Sequence, residues 1–552
     1  MSTPSSTTMS NIYSEPIGIL GAGVAGIINT YVFLQDGFTN VTVITRDRSV
    51  GGIWSRDRVY PGLRINNVHG EYRFSPLDMP PPDDSVETGG HITGMGMCDY
   101  IETFYEKFLQ GKAKFIFETE VLNVRRDETK GWEVKVEGVC SKEPRVLTFS
   151  RIILATGGCS NPNIPANLST EAAQNAQFKG LVIHSSQFRS RLDDIFELVK
   201  QKMSDDDKTK GTVVVVGGGK SAMDICAKLA NEGRRVVNVF ETADVFLAAK
   251  SALPDFIRKG RLLSLLSPHI VLRTRLERFF HTTTLGSWIT KTFWKFLEAS
   301  SFDAFSLPKD SPLRNTPSIF WGIRTNDEGR VNSKNYYCLV NGGQIELAAP
   351  ARALRYSDDG KSLRLSNGQE VAADVVILAT GWKSSWTQIF DGTLPLLIWI
   401  SSSTIGTTRR SRTLLPPTPR TRRDFAIAGA IFTSNNGYTS EVAAHWISSY
   451  FQGDPMRLPS SPEEAVAEVE LRSAWMRKRY PDMCSWVNES YSCTLDFWTW
   501  PQAADELLED MFLPSMRSGG NLFTWPFQVI DLKEIATLGE ERRVLREKAT
   551  AS

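Results

Sequence analysis

The stretch "VVVVGGGKSAMDIC", Val213 to Cys226, decides the fold. It closes on Gly219-Lys220-Ser221, the ending of a nucleoside-triphosphate P-loop. That loop needs a further glycine five positions before Gly219, and Val214 stands there, inside an unbroken valine run. The turn that would wrap a β-phosphate is missing, so the P-loop reading fails. Gly217, Gly219 and Ala222 instead fit GxGxxA, between a buried-strand run (Val213 to Val216) and a helix-like stretch, "SAMDICAKLANEG". The first small residue permits a tight turn, the second lets backbone approach a pyrophosphate, and the third packs helix against strand.

A second copy lies upstream. "IGILGAGVAGIINTYVFLQDGFTNVTVIT", Ile17 to Thr45, carries Gly21, Gly23 and Gly26 between a short strand and a helix, with another strand at Val41 to Thr45. The two motifs start 196 residues apart. One glycine-rich turn is weak evidence for a ligand; two complete strand–turn–helix–strand units are far more specific. Two dinucleotides in one chain imply an electron relay, typically from nicotinamide to flavin.

Composition narrows the partners. A chain of 552 residues holds about three or four structural units. With 41% apolar and 23% charged residues it reads as an ordinary globular protein. A net charge of +1 gives no reason to expect a nucleic-acid or anionic-membrane partner. The seven cysteines are scattered, without CxxC or metal-type spacing, which points to reduced thiols in the cytoplasm and to no metal site. The first residues are polar, without a signal-peptide core, and no apolar run approaches the ~20 residues needed to span a bilayer. No membrane anchor is therefore expected, and no oligomeric state is read from the sequence.

Both glycine units are followed by alternating strands that end alike. "GWEVKVEG" and "RVLTFSRIILATGG" close on Ala155-Thr156-Gly157. A meander with turns at Asp359-Gly360 and Asn367-Gly368 closes on Ala379-Thr380-Gly381. The echo suggests duplicated architecture, each strand ending in a close-approach turn beside a ligand or a domain crossing. Residues 393–423 are low in complexity and hold six arginines, which reads as a solvated insertion. The last hundred residues read as mainly helical and carry no recognisable chemistry.

At "FKGLVIHSSQF" the sequence becomes recognisable. Phe178, Gly180, His184 and Phe188 match FxGxxxHxxx(Y/F), and the chain resembles the flavin-containing monooxygenases, class B flavoproteins of the soluble type, from about Ile17 to Gly453. "GAGVAG", "GGIW" (Gly51 to Trp54), "YPGL" (Tyr60 to Leu63), "ATGGCSNPNIP", "GGGKSAMDIC" and "LATGW" follow in the family's order. The resemblance implies an α/β fold of two Rossmann-like domains, the NADPH domain inserted in the FAD domain, with a mainly helical C-terminal extension. The expected bounds are a disordered tail at 1–14, the FAD domain at 15–177 and 346–455, the NAD(P)H domain at 178–345, and the extension at 456–552. The implied reaction reduces FAD with NADPH, adds O2 as a C4a-hydroperoxyflavin, and transfers one oxygen atom to a small organic molecule, as in secondary-metabolite tailoring. No nucleophile or metal is then expected from the protein, whose work is to position and to exclude water.

Carried over by position, Gly21, Gly23, Val24, Ala25 and Gly26 hold the FAD pyrophosphate, and Gly52, Ile53 and Trp54 line the same cofactor. Thr156, Gly157 and Gly381 approach the ligands. Gly217, Gly219, Lys220, Ser221 and Ala222 meet the nicotinamide nucleotide. Asn66 aligns with the active-site asparagine, while His184 braces the link between domains. Two positions depart from the pattern. An acid usually ends the second flavin-domain strand, and here Thr45 stands there, with Asp47 two residues on; either is expected to substitute. After "RRVVNVF" the family places an arginine for the 2′-phosphate of NADPH, whereas this chain has Glu241-Thr242, with Arg234 and Arg235 before the strand. A carboxylate there favours NADH; the family favours NADPH, which is the expected donor.

Phe188 in place of tryptophan leans toward N- or S-oxygenation, while Arg64 in "YPGLRINN" is shared with the Baeyer–Villiger pattern, so a Baeyer–Villiger or epoxidising enzyme is the alternative. A pyridine-nucleotide disulfide reductase needs a cysteine pair beside the flavin, and the closest cysteines, Cys484 and Cys493, lie far down the tail. A non-catalytic flavin-binding protein is the remaining alternative.

Overall fold

The computed structural model describes all residues except 1–10, 128, 130, 202–210, 319–324, 384, 391–422, 430–432, 480–495 and 552. Ten short strands build two parallel sheets: β1 (Ile17–Leu20), β2 (Val41–Ile44), β3 (Lys114–Ile116), β4 (Arg151–Leu154), β5 (Leu181–His184), β6 (Val213–Val216), β7 (Val236–Val239), β8 (Ile345–Ala348), β9 (Val375–Leu378) and β10 (Phe425–Ile427). The first sheet runs β10-β4-β1-β2-β3 and the second β5-β9-β6-β7-β8. The central strands "IGIL", "VVVV" and "VVIL" are buried along their whole length, as strands covered on both faces require.

The duplication extends to single hydrogen bonds. Gly21 N–H donates to Ile44 O and Gly217 N–H to Val239 O, both at 2.8 Å. Ala155 N–H donates to Leu20 O and Ala379 N–H to Val216 O, both at 2.9 Å. Each glycine turn thus leads from its central strand into a helix, α1 (Val24–Gln35) or α2 (Lys220–Asn231), with an Ala-Thr-Gly turn beside it.

The expected boundary at 345/346 requires correction. β9 lies between β5 and β6 in the second sheet, not in the first. The antiparallel meander before it (Ala353–Tyr356, Ser362–Leu365, Glu370–Ala372) packs its Tyr356, Leu363 and Leu365 with Val214 and Val216. The second unit therefore continues to about Leu378, and β10 is the strand that returns to complete the first sheet. The chain crosses between units as two extended segments, Asn161–Pro162 pairing antiparallel with Trp382–Lys383.

The tail expected at 1–14 is described from Asn11, and there it is packed: the Tyr13 ring lies against Phe38 and its hydroxyl bonds Gln452 at 3.0 Å. Most of the arginine-rich insertion at 393–423, together with Cys484 and Cys493, lies outside the described residues. The C-terminal region is helical as expected but shares the first unit's core. Trp500 and Leu508 from helix Asp496–Asp510, with Ile535 and Leu538 at the entry to α4 (Leu538–Ala551), join α3 (Asn436–Gln452) and α1 in one cluster. Arg542 of α4 is buried and bonds the Asp36 carboxylate at the end of α1 at 2.8 Å, Ser449 Oγ at 2.8 Å and His445 Nδ1 at 2.8 Å. Among the described residues no helix is long and apolar enough to cross a membrane.

Candidate functional site

A cavity of about 370 Å³ opens at the C-terminal ends of β1, β2 and β4. Gly21, Gly23, Val24, Ala25, Thr45, Asp47, Gly52, Ile53, Trp54, Thr156 and Gly157 all line it. Gly26 sits behind this wall. A Cβ on Gly26 would lie 1.9 Å from Gly21 O, and one on Gly21 (φ +118°) 2.3 Å from Ala155 O. The first turn of α1 has no side-chain cap, because Gly23 is its N-cap, so its N–H groups face the cavity's phosphate end unpaired by side chains. Gly52 packs on Gly23, where a Cβ would meet Gly23 Cα at 3.1 Å. Two glycine segments thus meet with no room for side chains, a cradle that fits a dinucleotide pyrophosphate. The N-terminal residues Asn436 and Ser440 of α3 close the cavity from the opposite side.

At the end of β2 the substitution for the missing acid takes shape. Thr45 is buried and its Oγ1 accepts from Asp47 N–H at 3.3 Å, while Asp47 pairs with Arg58 at 2.5 Å. Arg46, Arg58, Glu120, Cys159 and Gln388 also line the cavity and were not singled out from the sequence. The Arg58–Asp47 pair spans eleven positions with no motif to announce it.

Asn66 is placed differently. It does not line this cavity but sits where the units meet, its Oδ1 accepting from Asp327 N–H at 3.3 Å and its carbonyl accepting from Arg258 at 3.0 Å. Arg258 is buried, reaching Glu71 at 2.7 Å and contacting Asp327, and His91 Nε2 lies 3.3 Å from the other Asp327 oxygen. Burial works to raise the Asp327 carboxyl, but Arg258 and His91 outweigh it and hold it well below the usual range. Asn66 is therefore anchored by an inter-unit network that spacing alone does not show.

The second cradle repeats the first with changes. A Cβ on Gly217 (φ +136°) would lie 2.3 Å from Ala379 O, one on Gly218 2.3 Å from Thr242 O, and one on Gly219 3.1 Å from the Asp244 carboxylate. Ala222 is fully buried as the packing residue, and Ser221 is exposed in the first turn of α2. The Lys220 ammonium bonds Asp224 at 2.6 Å and lies 3.7 Å from Glu328. Burial outweighs Lys220 at Asp224 and raises that carboxyl to about 6.

The fingerprint residues act on the joint between units. A Cβ on Gly180 would lie 2.6 Å from the Phe178 ring and 2.7 Å from Asp374 O, and Phe178 in turn packs on Tyr356. His184 Nδ1 accepts from Ser186 N–H at 3.1 Å and its Nε2 bonds Gly381 O at 3.0 Å, with the ring edge-on to Trp382. Burial pushes the imidazole down to about 4, so near pH 7 it is neutral and carries a single proton, on Nε2. Gly381, expected to approach a ligand, offers its carbonyl to His184 Nε2 and Asn163 N–H at the crossing. Phe188 is buried edge-on to Tyr60 of the "YPGL" loop.

Residues 16–260 match the family described as pyridine nucleotide-disulphide oxidoreductase. The chain is 25% identical over 540 residues to an FAD-dependent monooxygenase of Aspergillus nomiae, covering 84% of this chain and 88% of that protein. An FAD-dependent monooxygenase of Fusarium langsethiae is 25% identical over 592 residues, covering 96% and 94%. A probable flavin-containing monooxygenase of Arabidopsis thaliana is 23% identical, covering 83% and 86%. Among solved structures, NADP+-bound cyclohexanone monooxygenase of Rhodococcus sp. Phi1 superposes with a TM-score of 0.56 at 16% identity, over 98% of both chains. S-allyl-L-cysteine S-oxygenase of Allium sativum gives 0.52 at 14%, over 98% and 99%. The fold is the two-dinucleotide flavoprotein architecture, α/β with a helical C-terminal region. The chain's relatives are named FAD-dependent and flavin-containing monooxygenases, its structural neighbours are class B flavin monooxygenases, and it is an oxidoreductase. The disulfide-reductase alternative finds no cysteine pair: the five cysteines among the described residues form no disulfide and are far apart in sequence.

Proposed function

We propose that this protein is an FAD-dependent monooxygenase that consumes NADPH and O2 to place one oxygen atom on a small organic molecule, by N- or S-oxygenation, in cytoplasmic secondary-metabolite biosynthesis. The observation that carries the reading is the repeated cradle: two sheets that share a four-strand order, β4-β1-β2-β3 and β9-β6-β7-β8, each with a positive-φ glycine locked against an Ala-Thr-Gly turn. When bound, FAD takes hydride from NADPH and, with O2 and a proton, yields the oxygenated product and water.

The chain's own residues bind, orient and shield. The turn at Gly21, Gly23 and Gly26 and the N-terminus of α1 are assigned to the FAD pyrophosphate, with Gly52, Ile53 and Trp54 on its flank. Thr45 and the Asp47–Arg58 pair are assigned to the adenosine ribose, a neutral or neutralised contact weaker than a free carboxylate. Gly217, Gly219 and the N-terminus of α2 are assigned to the nicotinamide coenzyme. Asn66 is the candidate active-site amide. Asp327 N–H anchors its oxygen, and the buried Arg258 fixes its carbonyl, so the side chain is held in one orientation. A Baeyer–Villiger reading leans on Arg64, but that guanidinium is committed to Asp84 and to the His91 carbonyl at 3.2 Å, which favours N- or S-oxygenation.

An oxygen electrode tests the proposal. The FAD-loaded protein should consume O2 with NADPH, and an amine or thioether among a panel that includes ketones and alkenes should gain one oxygen atom, traced with 18O2. Oxygen uptake that yields peroxide with every compound class would contradict it.

A further inference from the structure

The sequence lacks the arginine expected just past β7, where the adenosine ribose of the coenzyme lies in a doubly wound nucleotide unit. The structure brings one there from elsewhere in the chain. After β8, Ala351 N–H donates to Phe240 O at 2.8 Å, which fastens the following segment across the end of β7. The next residue is Arg352. Its backbone N–H donates to Ser366 Oγ at 2.9 Å, and its Nε lies 2.5 Å from Glu241 Oε2. Among the described residues, Glu241 is the only partner of this guanidinium.

We infer that Arg352 reads the adenosine 2′-phosphate of the coenzyme, with Glu241 as a carboxylate that holds the guanidinium in place until the phosphate displaces it. The inference rests on the assignment of the second cradle to a nicotinamide dinucleotide. Both side chains are well exposed, 69% and 48%, and such exposed pairs are weak. A phosphate dianion with several acceptor oxygens matches the planar fork better than one carboxylate edge does. Three other cations of this unit are committed. Arg234 stacks on Phe196 and donates to Val199 O at 2.9 Å, while Arg235 pairs with Glu346, and both precede β7 at its opposite end. Lys220 is held by Asp224 and Glu328. In this arrangement Glu241 alone would favour the ribose diol of NADH, and Arg352 reverses that preference.

Calorimetric titration of the FAD-loaded full-length protein with 2′,5′-ADP and, separately, 5′-AMP tests this without turnover. The wild type should bind 2′,5′-ADP more tightly than 5′-AMP. Arg352→Ala should weaken 2′,5′-ADP by about tenfold or more, the scale of one lost charge-assisted contact, and leave 5′-AMP within about twofold. Arg352→Lys should recover part of the loss, and Glu241→Gln should tighten 2′,5′-ADP. Binding of 2′,5′-ADP by Arg352→Ala at wild-type affinity would overturn the inference while leaving the two-cofactor reading intact. An FAD-loaded wild type that binds neither nucleotide would overturn the nicotinamide assignment and this inference together.

Discussion

The two nucleotide units of this chain share the order of four strands and a turn, yet they are finished differently. In the first, both the third small residue of the motif and the turn opposite it are glycines, and the cradle opens on a cavity whose far wall is the N-terminus of α3. In the second, Ala222 takes the third position, Lys220 is drawn into a buried pair with Asp224, and the ribose end carries the exposed Glu241–Arg352 pair. The C-terminal helices join the first unit's apolar core, whereas they meet the second unit through polar bonds such as Arg261–Asp505 at 2.7 Å and Gln502–Ser264 O at 3.1 Å. A resident cofactor suits the enclosed, braced site, and a coenzyme that comes and goes suits the one with exposed, exchangeable charges.

The largest effect should separate the two units outright. Gly21→Ala forces a Cβ to 2.3 Å from Ala155 O at a φ that L-residues avoid, and FAD content, read from visible absorbance against protein, should fall at least about tenfold. Gly217→Ala meets Ala379 O in the same way, and should leave FAD bound while abolishing 2′,5′-ADP binding. Loss of FAD from Gly217→Ala alone would break the division of labour.

Next in size is the brace. Arg542→Ala removes the buried cation paired with Asp36, which keeps Ser448 and Gln452 as hydrogen-bond donors, and should cost about 3 kcal/mol in denaturant unfolding and release FAD at lower urea. Glu441 on α3 then gives a pH signature of the first unit. Burial raises its carboxyl to about 7 from an ordinary 4.5, against hydrogen bonds from Ser75. The folded state therefore holds a proton that the unfolded state has lost. Its contribution is fully present below pH 4.5 and is lost as pH rises to about 7, on the order of 3 kcal/mol. Glu441→Gln should flatten that slope in thermal or urea unfolding across the same window; an unchanged slope would contradict the assignment. The smallest effect is expected at the ribose end of the flavin site, where Thr45→Ala with Asp47→Ala should weaken FAD by a factor of about five, roughly one hydrogen bond.

Much of this comparison was legible in the residues. The glycine spacings announce two tight turns, the valine and isoleucine runs announce parallel strands buried on both faces, and the repeated Ala-Thr-Gly marks the two turns that close on the glycines. What the pattern could not say is which sheet "VVIL" at 375–378 joins, because an apolar strand carries no address; the meander packed on Val214 and Val216 decides that. The pairing of Lys220 with Asp224 one helical turn on was open to reading as an i, i+4 pair. Arg352 beside Glu241 and Arg258 beside Glu71 are 111 and 187 positions apart, and only the fold brings them together.

The most direct test of the two-cradle account is an anaerobic titration of the FAD-reconstituted protein with NADPH, followed by visible flavin absorbance. The account predicts bleaching by an equimolar amount of NADPH, with slower or weaker bleaching by NADH. A chain that stays colourless after incubation with excess FAD, or a bound flavin that neither coenzyme bleaches, would contradict it.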